Sequence, residues 1–154
     1  MESGRSFSPP SSSTSFMNYN PYPNKHRLVP IPPPWGMLNY RLLIVYQRAV
    51  EYDDIANSLL PQLRRFDRSL ASHLMRSGNS MLTAIAEGAS ADQPKMKAGS
   101  YRNAKREAEE CGIGWEKSAR RKWTPYQKTM QAVSKLDEIA KMLAKLIMRF
   151  DPPS

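Results

Sequence analysis

The residues best suited to chemistry in this sequence are lysines and arginines gathered between Lys95 and Lys122. Nine basic residues lie in this stretch against four glutamates, and its densest part is "SARRKW", Ser118 to Trp123. The aromatic residues interleaved with or next to them are Tyr101, Trp115, Trp123 and Tyr126. Cationic side chains bind backbone phosphates, and aromatic rings stack on unpaired bases. The stretch therefore predicts contact with nucleic acid.

A second basic cluster, Arg64, Arg65 and Arg68, lies in the joint between the first and second predicted helices. In an up-down helical bundle the first and third joints fall at the same end, so the two clusters are predicted to form one surface. The alternative is that basic turns serve only solubility and the charge complementarity of helix C-termini. The predicted nucleic-acid-binding residues are Arg64, Arg65, Arg68, Lys117, Arg120, Arg121, Lys122 and Trp123.

Groups able to support catalysis or to hold a metal are scarce. His26 lies in the N-terminal segment, and His73 stands alone on the second predicted helix, where a hydrogen-bonded structural role is favoured because a general base needs partners. No HExxH pattern, CxxC pair, glycine-rich phosphate loop or GxSxG elbow occurs. We therefore expect no enzymatic activity, no cofactor and no metal site.

Composition narrows the class of partner and the compartment. The net charge of +9 and the pI near 9.8 favour nucleic acid first and an anionic membrane surface second. Cys111 is the only cysteine, so no internal disulfide is expected, and no signal-peptide pattern opens the chain. A soluble protein of the reducing cytoplasm is predicted, because no apolar run approaches the roughly 18 residues of a membrane span.

The chain divides into a leader and one helical domain. Residues 1–36 hold eight of the thirteen prolines and a serine cluster, a composition typical of a disordered leader. The "VPIPPPW" end of this leader, Val29 to Trp35, is either a polyproline segment that docks or a solvated tail. Residues 37–151 are predicted to form the folded domain.

Apolar residues spaced by threes and fours predict the first two helices of this domain. The first spans about residues 38–60 and is closed by Pro61. The second begins after Asp67, a predicted N-cap, and weakens at Gly88. Small residues on its face predict close packing of a partner helix, and they are Ser77, Gly78, Ser80 and Ala84.

The third and fourth helices have recognisable beginnings. The third is predicted to start around Asp92 and Pro94 and to run towards Lys117, with Gly112 and Gly114 marking either close packing or a local break. For the fourth, Thr124, Pro125 and Gln127 match a T-x-x-Q capping box with proline at the first helical position.

A broad apolar stripe follows along the fourth helix, from Tyr126 to Phe150. Its width leaves two interpretations open, contact with another subunit or deep burial in the chain's own bundle. Four amphipathic helices with short joints predict an all-α fold, an antiparallel up-down four-helix bundle that follows the disordered leader.

Four stretches also carry a resemblance to a known family. They are "LIVYQRAVEYDDIA" (Leu43 to Ala56), "LASHLMRSGNS" (Leu70 to Ser80), "SMLTAIAEG" (Ser80 to Gly88) and "GSYRNAKREAEECG" (Gly99 to Gly112). The third resembles the "S-I-P-S-N-I-A-E-G" signature of the 23S ribosomal RNA intervening-sequence proteins, and the others are similar to the helices around it. The resemblance covers roughly residues 38–150.

The resemblance implies a four-helix bundle without enzymatic activity that assembles as a ring-like homopentamer. It also implies kinship with the accessory variability proteins of diversity-generating retroelements, basic pentamers that bind nucleic acid and a reverse transcriptase. In its light Glu87 is expected to be a structural carboxylate, paired with an arginine such as Arg76 of a neighbouring subunit or with backbone donors.

Together these arguments predict a non-enzymatic, oligomeric accessory protein that binds RNA or DNA through basic joints, alone or with a reverse transcriptase. The alternative is a protein-interaction scaffold whose basic face docks an acidic partner protein. No membrane association is expected.

Overall fold

The computed structural model describes residues 43–154, which form four α-helices. The helices are α1 (Ile44–Arg64), α2 (Arg68–Ser90), α3 (Pro94–Arg120) and α4 (Tyr126–Phe150). Residues 43–154 contain no β-strand. The predicted all-α class and the number of helices are confirmed. The predictions for the leader, residues 1–36, and for the start of the first helix lie outside the described residues.

The helices form an antiparallel up-down bundle. Each helix packs against its neighbours in sequence, and α1 also packs against α4, which closes the ring of four. Arg102, near the start of α3, donates a hydrogen bond to the carboxylate of Asp151, just after α4, at 2.7 Å. Because the beginning of one helix meets the end of the next, consecutive helices run in opposite directions. None of the helices in residues 43–154 has the length and apolar character needed to cross a bilayer.

A buried polar pair lies among the large core side chains. The indole Nε1 of Trp115 donates to the Tyr52 hydroxyl at 2.8 Å, which satisfies both groups away from water. Cys111 is buried beside them as a free thiol. Burial raises the pKa of Tyr52 well above its usual value and raises the pKa of Cys111 to about 11, since a low-polarity interior disfavours both anions.

Two glycines permit close helix contacts. A β-carbon on Gly88 would lie 2.5 Å from the Tyr101 ring, and one on Gly114 would lie 2.7 Å from Leu74 Cδ2. The close-packing interpretation is therefore confirmed at Gly114, and α3 continues through it without a break. Gly112 differs, because no atom lies within 4 Å of the position that its β-carbon would take.

The small face of α2 is buried as predicted at three of its four positions. Ser77, Gly78 and Ala84 are buried between helices, but Ser80 is exposed. Prediction of Ser80 as part of the packed face was wrong, because its place on the helix turns it away from the neighbouring helices.

The prediction that Pro61 closes the first helix was wrong, because α1 continues through this residue to Arg64. Proline inside a helix removes one backbone hydrogen bond and costs about 3 kcal/mol. Continuing the helix places Leu63 in the core with no exposed surface, and burying a leucine contributes about 1.5–3 kcal/mol. Pro61 itself is exposed, so its ring meets solvent.

The starts of α2 and α3 agree with the sequence prediction, and the start of α4 departs from it. The Asp67 side chain accepts from Leu70 N at 2.9 Å, which confirms the predicted N-cap of α2. The predicted start of α3 around Asp92 and Pro94 is confirmed, since the helix begins at Pro94, although its N-cap position is Gln93, without a side-chain cap bond. At α4 the N-cap position is Pro125, and Thr124 makes no capping bond. The capping box was wrong because the Thr124 hydroxyl is buried and bonded to other hydroxyls.

The C-terminus of α2 is supported by a lysine from the next helix. The helix runs to Ser90, two residues beyond the glycine expected to weaken it. Lys97 Nζ donates to the carbonyl oxygens of Gly88 and Ala89, each at 3.0 Å. A cation at a helix C-terminus satisfies free carbonyl groups and complements the helix dipole.

The apolar stripe of α4 packs largely within the chain's own bundle. Its buried members include Val133, Leu136, Ile139 and Leu143, while Met130, Met142, Leu146, Ile147 and Phe150 are partly buried against the same core. Tyr126 at the start of the stripe is exposed, and so is Met148, which lies outside the predicted stripe. Burial within the bundle therefore explains most of the stripe's width.

Candidate nucleic-acid interface

The joint between α1 and α2 is a three-residue turn that fixes an aromatic ring. Residues 65–67 connect the helices, and the backbone N–H groups of Phe66 and Asp67 both donate to the Leu63 carbonyl at 2.9 Å. The Asp67 side chain then caps α2. Phe66 remains 57% exposed although it is apolar. The turn therefore holds a phenyl ring at the surface, directly after Arg65.

The joint between α3 and α4 begins with a Schellman motif. Trp123 N donates to the Ser118 carbonyl and Lys122 N to the Ala119 carbonyl, both at 3.0 Å. Lys122 has a φ of 60°, the left-handed conformation that glycine usually supplies at this position. A residue with a β-carbon pays roughly 1 kcal/mol there. A lysine therefore stands at a position where glycine would make the folded protein more stable.

Buried hydroxyl groups fix the rest of this joint. The Thr124 hydroxyl lies 2.6 Å from that of Ser118, and the Thr129 hydroxyl donates to Thr124 Oγ1 at 2.7 Å. Thr129 also lies 2.6 Å from the Pro125 carbonyl oxygen. Because these groups link the end of α3 to the first turn of α4, they hold the intervening Trp123 in place.

A stacked aromatic pair brings the two joints together. The rings of Phe66 and Trp123 have centroids 6.2 Å apart and planes inclined by 14°. The prediction that the first and third joints lie at the same end of the bundle is confirmed by this contact. Trp123 was among the predicted residues, but Phe66 was missed. The sequence does carry a signal for Phe66, since an aromatic residue stands between Arg65 and Asp67 in a short polar turn.

We call the surface around this pair the basic end. Its cations are Arg64, Arg65, Arg68, Lys117, Arg120, Arg121, Lys122 and Lys128, and its carboxylates are Asp67 and Glu116. All eight cations are exposed except Lys117, which is partly buried. Within residues 43–154 none of the eight forms an ion pair. Their charges are therefore not neutralised by neighbouring carboxylates there.

Only some of the cations of the basic end lie where they complement a helix dipole. Arg64, Lys117 and Arg120 lie in the last turns of α1 and α3, where cations are favourable. Arg68 and Lys128 lie in the first turns of α2 and α4, where a cation meets the positive end of the dipole. Lys128 is not among the predicted residues, because it lies in the fourth helix rather than in the joint itself.

The basic stretch from Lys95 to Lys122 is divided between the two ends of α3, and only its second part belongs to the basic end. These residues lie near opposite ends of α3, a helix of 27 residues that is about 40 Å long. In its first half, Arg102 pairs with Asp151 and Lys105 with Glu109.

Two of the predicted aromatic contacts were also wrong. Tyr101 and Trp115 are buried in the core, with 2% and 0% of their surface exposed. A base has no access to either ring. Their spacing along α3 places them on its inner face, so they stabilise the bundle rather than the surface.

Outside the basic end, the polar residues singled out in the sequence have ordinary surroundings. His73 Nε2 lies 3.5 Å from Glu110 Oε1 on the neighbouring helix, in accord with a structural histidine. Glu87 is exposed beside a groove between α2 and α3, which Asn103 and Arg106 also line. Within residues 43–154 no group of three or more His, Cys, Asp or Glu side chains is placed to hold a metal ion.

Comparison with known proteins gives one match. The family model described as 23S rRNA-intervening sequence protein matches residues 41–145, more than half of the chain. No curated protein and no solved structure shows a significant match. The match includes every cation of the basic end as well as Phe66 and Trp123.

Proposed function

Because the chain belongs to the 23S rRNA-intervening sequence protein family, we propose that it is a non-enzymatic accessory protein that binds nucleic acid through its basic end. The observation that carries the proposal is the contact between Phe66 and Trp123, which joins two cationic turns into one surface. Both RNA and DNA present the phosphates that such a surface binds. The family's description names ribosomal RNA, which makes RNA the first ligand to test.

The charge balance at the basic end supports this proposal. Eight cations surround the joints against two carboxylates, and one of these, Asp67, is occupied by capping α2. Each phosphate that such a cation neutralises releases condensed counterions, so binding gains free energy that falls as salt rises. The left-handed conformation of Lys122 adds a second argument, because retained backbone strain clusters at functional positions.

The test compares two triple variants that lose the same charge. Arg120→Gln, Arg121→Gln and Lys122→Gln change the basic end, and Lys95→Gln, Lys141→Gln and Lys145→Gln change exposed lysines elsewhere on α3 and α4. Fluorescence anisotropy with labelled single-stranded RNA, single-stranded DNA and duplex DNA is measured from about 50 to 200 mM salt. We expect the first variant to lose at least about tenfold in affinity and to flatten the logarithmic salt dependence by about 2.

The matched control is expected to lose less than about threefold, because its lysines lie away from the joints. Equal losses in the two variants would mean that net charge alone drives binding and would remove the basic end as the site. No binding by the unchanged protein at low salt would overturn the nucleic-acid proposal itself.

Self-association is part of the same proposal. The resemblance to ring-like bundles suggests a homo-oligomer, a pentamer, in which the basic ends of several copies act together. Repeating one cationic surface around a ring raises the effective concentration of sites along a single nucleic acid. Sedimentation equilibrium of the full chain measures the number of copies.

A second candidate function is a scaffold whose basic end docks an acidic partner protein. It is favoured by the exposed Phe66 among arginines, since aromatic residues and arginine are enriched where proteins meet. The resemblance to accessory variability proteins makes a reverse transcriptase one candidate for that partner. A salt-sensitive complex with a protein, together with no affinity for nucleic acid, would select this function.

A further inference from the structure

We infer that the basic end binds single-stranded nucleic acid, with an unpaired base stacked at the Phe66–Trp123 pair. The inference rests on the proposed function and names its ligand more closely. It is carried by the position of an exposed aromatic surface inside a cluster of cations that have no ion-pair partner in residues 43–154.

The pair has the geometry of a stacking platform. Its two planes are inclined by only 14°, and its centroids are 6.2 Å apart, within the range of offset aromatic stacking. Trp123 is partly buried and Phe66 is 57% exposed, so the phenyl ring supplies most of the open surface. The guanidinium of Arg121 lies 5.7 Å from the Trp123 ring centre, a cation–π contact that orients one cation beside the pair.

The backbone around the pair is already fixed, which lowers the cost of binding a flexible strand. Phe66 follows a turn closed by two hydrogen bonds to Leu63, and Trp123 N is bonded to Ser118 within the Schellman motif. A ligand therefore meets rings whose backbone needs no further ordering. Pre-organisation of this kind contributes to affinity by reducing the entropy lost on binding.

An unpaired base matches this surface better than a base pair does. In a duplex both faces of each base are covered by neighbouring pairs, whereas a single strand can turn one face towards an aromatic ring. Cations stand next to each ring in sequence, Arg65 before Phe66 and Lys122 before Trp123. Phosphates on either side of a stacked base would thus find positive charge from both joints.

The competing explanation is that the pair only clips the two joints together. An apolar clip is expected to be buried, because its stabilising effect comes from the apolar area removed from water. More than half of the Phe66 surface is instead open. Exposure of a large ring in the middle of a cationic surface favours a role in binding over a role in packing.

The first experiment removes the ring and compares ligands. Phe66→Ala in the full chain is measured against Met96→Ala, which removes a side chain of similar exposure, 59%, in the first turn of α3. With a labelled single-stranded RNA and the matching duplex, we expect Phe66→Ala to weaken single-strand binding about fivefold or more. The affinity for the duplex should change less than about twofold, and the slope of the salt dependence should stay the same, because no cation is lost. Met96→Ala should leave the affinity for the single strand and for the duplex unchanged.

The second measurement detects the stacked base directly. The chain has three tryptophans, Trp35 in the leader, the fully buried Trp115 and Trp123. In a Trp35→Phe background, quenching of tryptophan fluorescence by an unlabelled single strand reports on Trp123. We expect quenching by the single strand, little by the duplex, and a reduced effect in Phe66→Ala.

The outcomes separate the inference from the proposed function. Equal losses for single strand and duplex, with a lowered melting temperature, would show that the pair is a structural clip and overturn the inference. Unchanged single-strand binding would also overturn it and leave charge-driven binding intact. If Phe66→Ala and the Arg120, Arg121 and Lys122 variant both bind single strands as tightly as the unchanged protein does, the basic end is not the binding site, and the proposed function fails together with the inference.

Discussion

Gly88 and Tyr101 lie so close together that a β-carbon on the glycine would stand 2.5 Å from Tyr101 Cε1. The ring is 2% exposed and tilts against Phe150, so it has little room to move. The glycine that follows Glu87 in the family-like signature is therefore required by packing between α2 and α3. This explains why the signature ends in glycine although the helix continues to Ser90.

Gly88→Ala should destabilise the protein in spite of alanine's better helix propensity. Overpacking a close helix contact costs about 1–3 kcal/mol, which exceeds the gain of about 1 kcal/mol from replacing glycine. Gly112→Ala is the matched control, because nothing lies within 4 Å of its added methyl group, and it should stabilise by about 0.5–1 kcal/mol. Urea unfolding of both variants gives the comparison. A stabilised Gly88→Ala protein would contradict the packing argument.

Thr124→Asp distinguishes the buried hydroxyl cluster from a capping box. Aspartate is a good N-cap, so a capping role would make the substitution neutral or favourable. Thr124 is 4% exposed and its hydroxyl contacts Ser118 and Thr129, so a carboxylate placed there should cost several kcal/mol. Thr124→Ser keeps the hydroxyl and should cost far less. Thermal melting followed by circular dichroism measures both, and equal melting temperatures for the two variants would refute the cluster.

Pro61→Ala should stabilise the protein by about 1–2 kcal/mol. Alanine restores the backbone N–H that the helix lacks at this position, and that gain exceeds the loss of proline's rigidity in the unfolded chain. No packing is lost, because Pro61 is exposed. Denaturant unfolding provides the measurement, with Gln62→Ala, at a neighbouring exposed position, as a control that should shift stability little. A destabilised Pro61→Ala protein would show that the ring makes a favourable contact.

Stability should fall at high pH because of Cys111. Burial raises the pKa of this thiol from 9.0 to about 11, so the folded protein retains the proton to higher pH than the unfolded chain does. The neutral thiol therefore makes its full contribution to the free energy of unfolding below about pH 9. That contribution, up to about 3 kcal/mol, is lost as the pH rises towards 11. Burial raises the pKa of Tyr52 as well, which acts in the same direction.

Cys111→Ala tests this dependence, since it removes the thiol and leaves Tyr52 in place. Unfolding free energies between pH 8 and 11 should fall less steeply in the variant than in the unchanged protein. Parallel curves for the two proteins would exclude the thiol as the cause. Thiol-specific reagents should also react slowly with the folded chain at pH 8, because the thiolate is the reactive species.

Lys122→Gly should separate stability from binding. Glycine adopts the left-handed conformation without steric cost, so the variant should be more stable by about 1 kcal/mol. The same change removes one cation from the basic end, so affinity for nucleic acid should fall. Melting temperature and anisotropy of the same preparation provide the two values. Unchanged affinity would show that Lys122 contacts no phosphate.

Local sequence patterns determined the outline of this protein. Apolar residues at helical spacing fixed the number of helices, and Asp67 marked the start of α2 through a bond to a residue three positions away. The shared end of the two basic joints also followed from the sequence, because short connections force consecutive helices to alternate in direction. Each of these features depends on neighbours along the chain.

Only the tertiary structure decided which side chains share a surface. Phe66 and Trp123 are distant in sequence, and their stacking arises because α1, α2, α3 and α4 close into a ring. The same packing buried Tyr101 and Trp115, turned Thr124 into a hydroxyl partner and carried α1 through Pro61. Helical periodicity gives the face on which a residue lies, whereas contacts between helices set the free energies that decide its partner and its access to ligand.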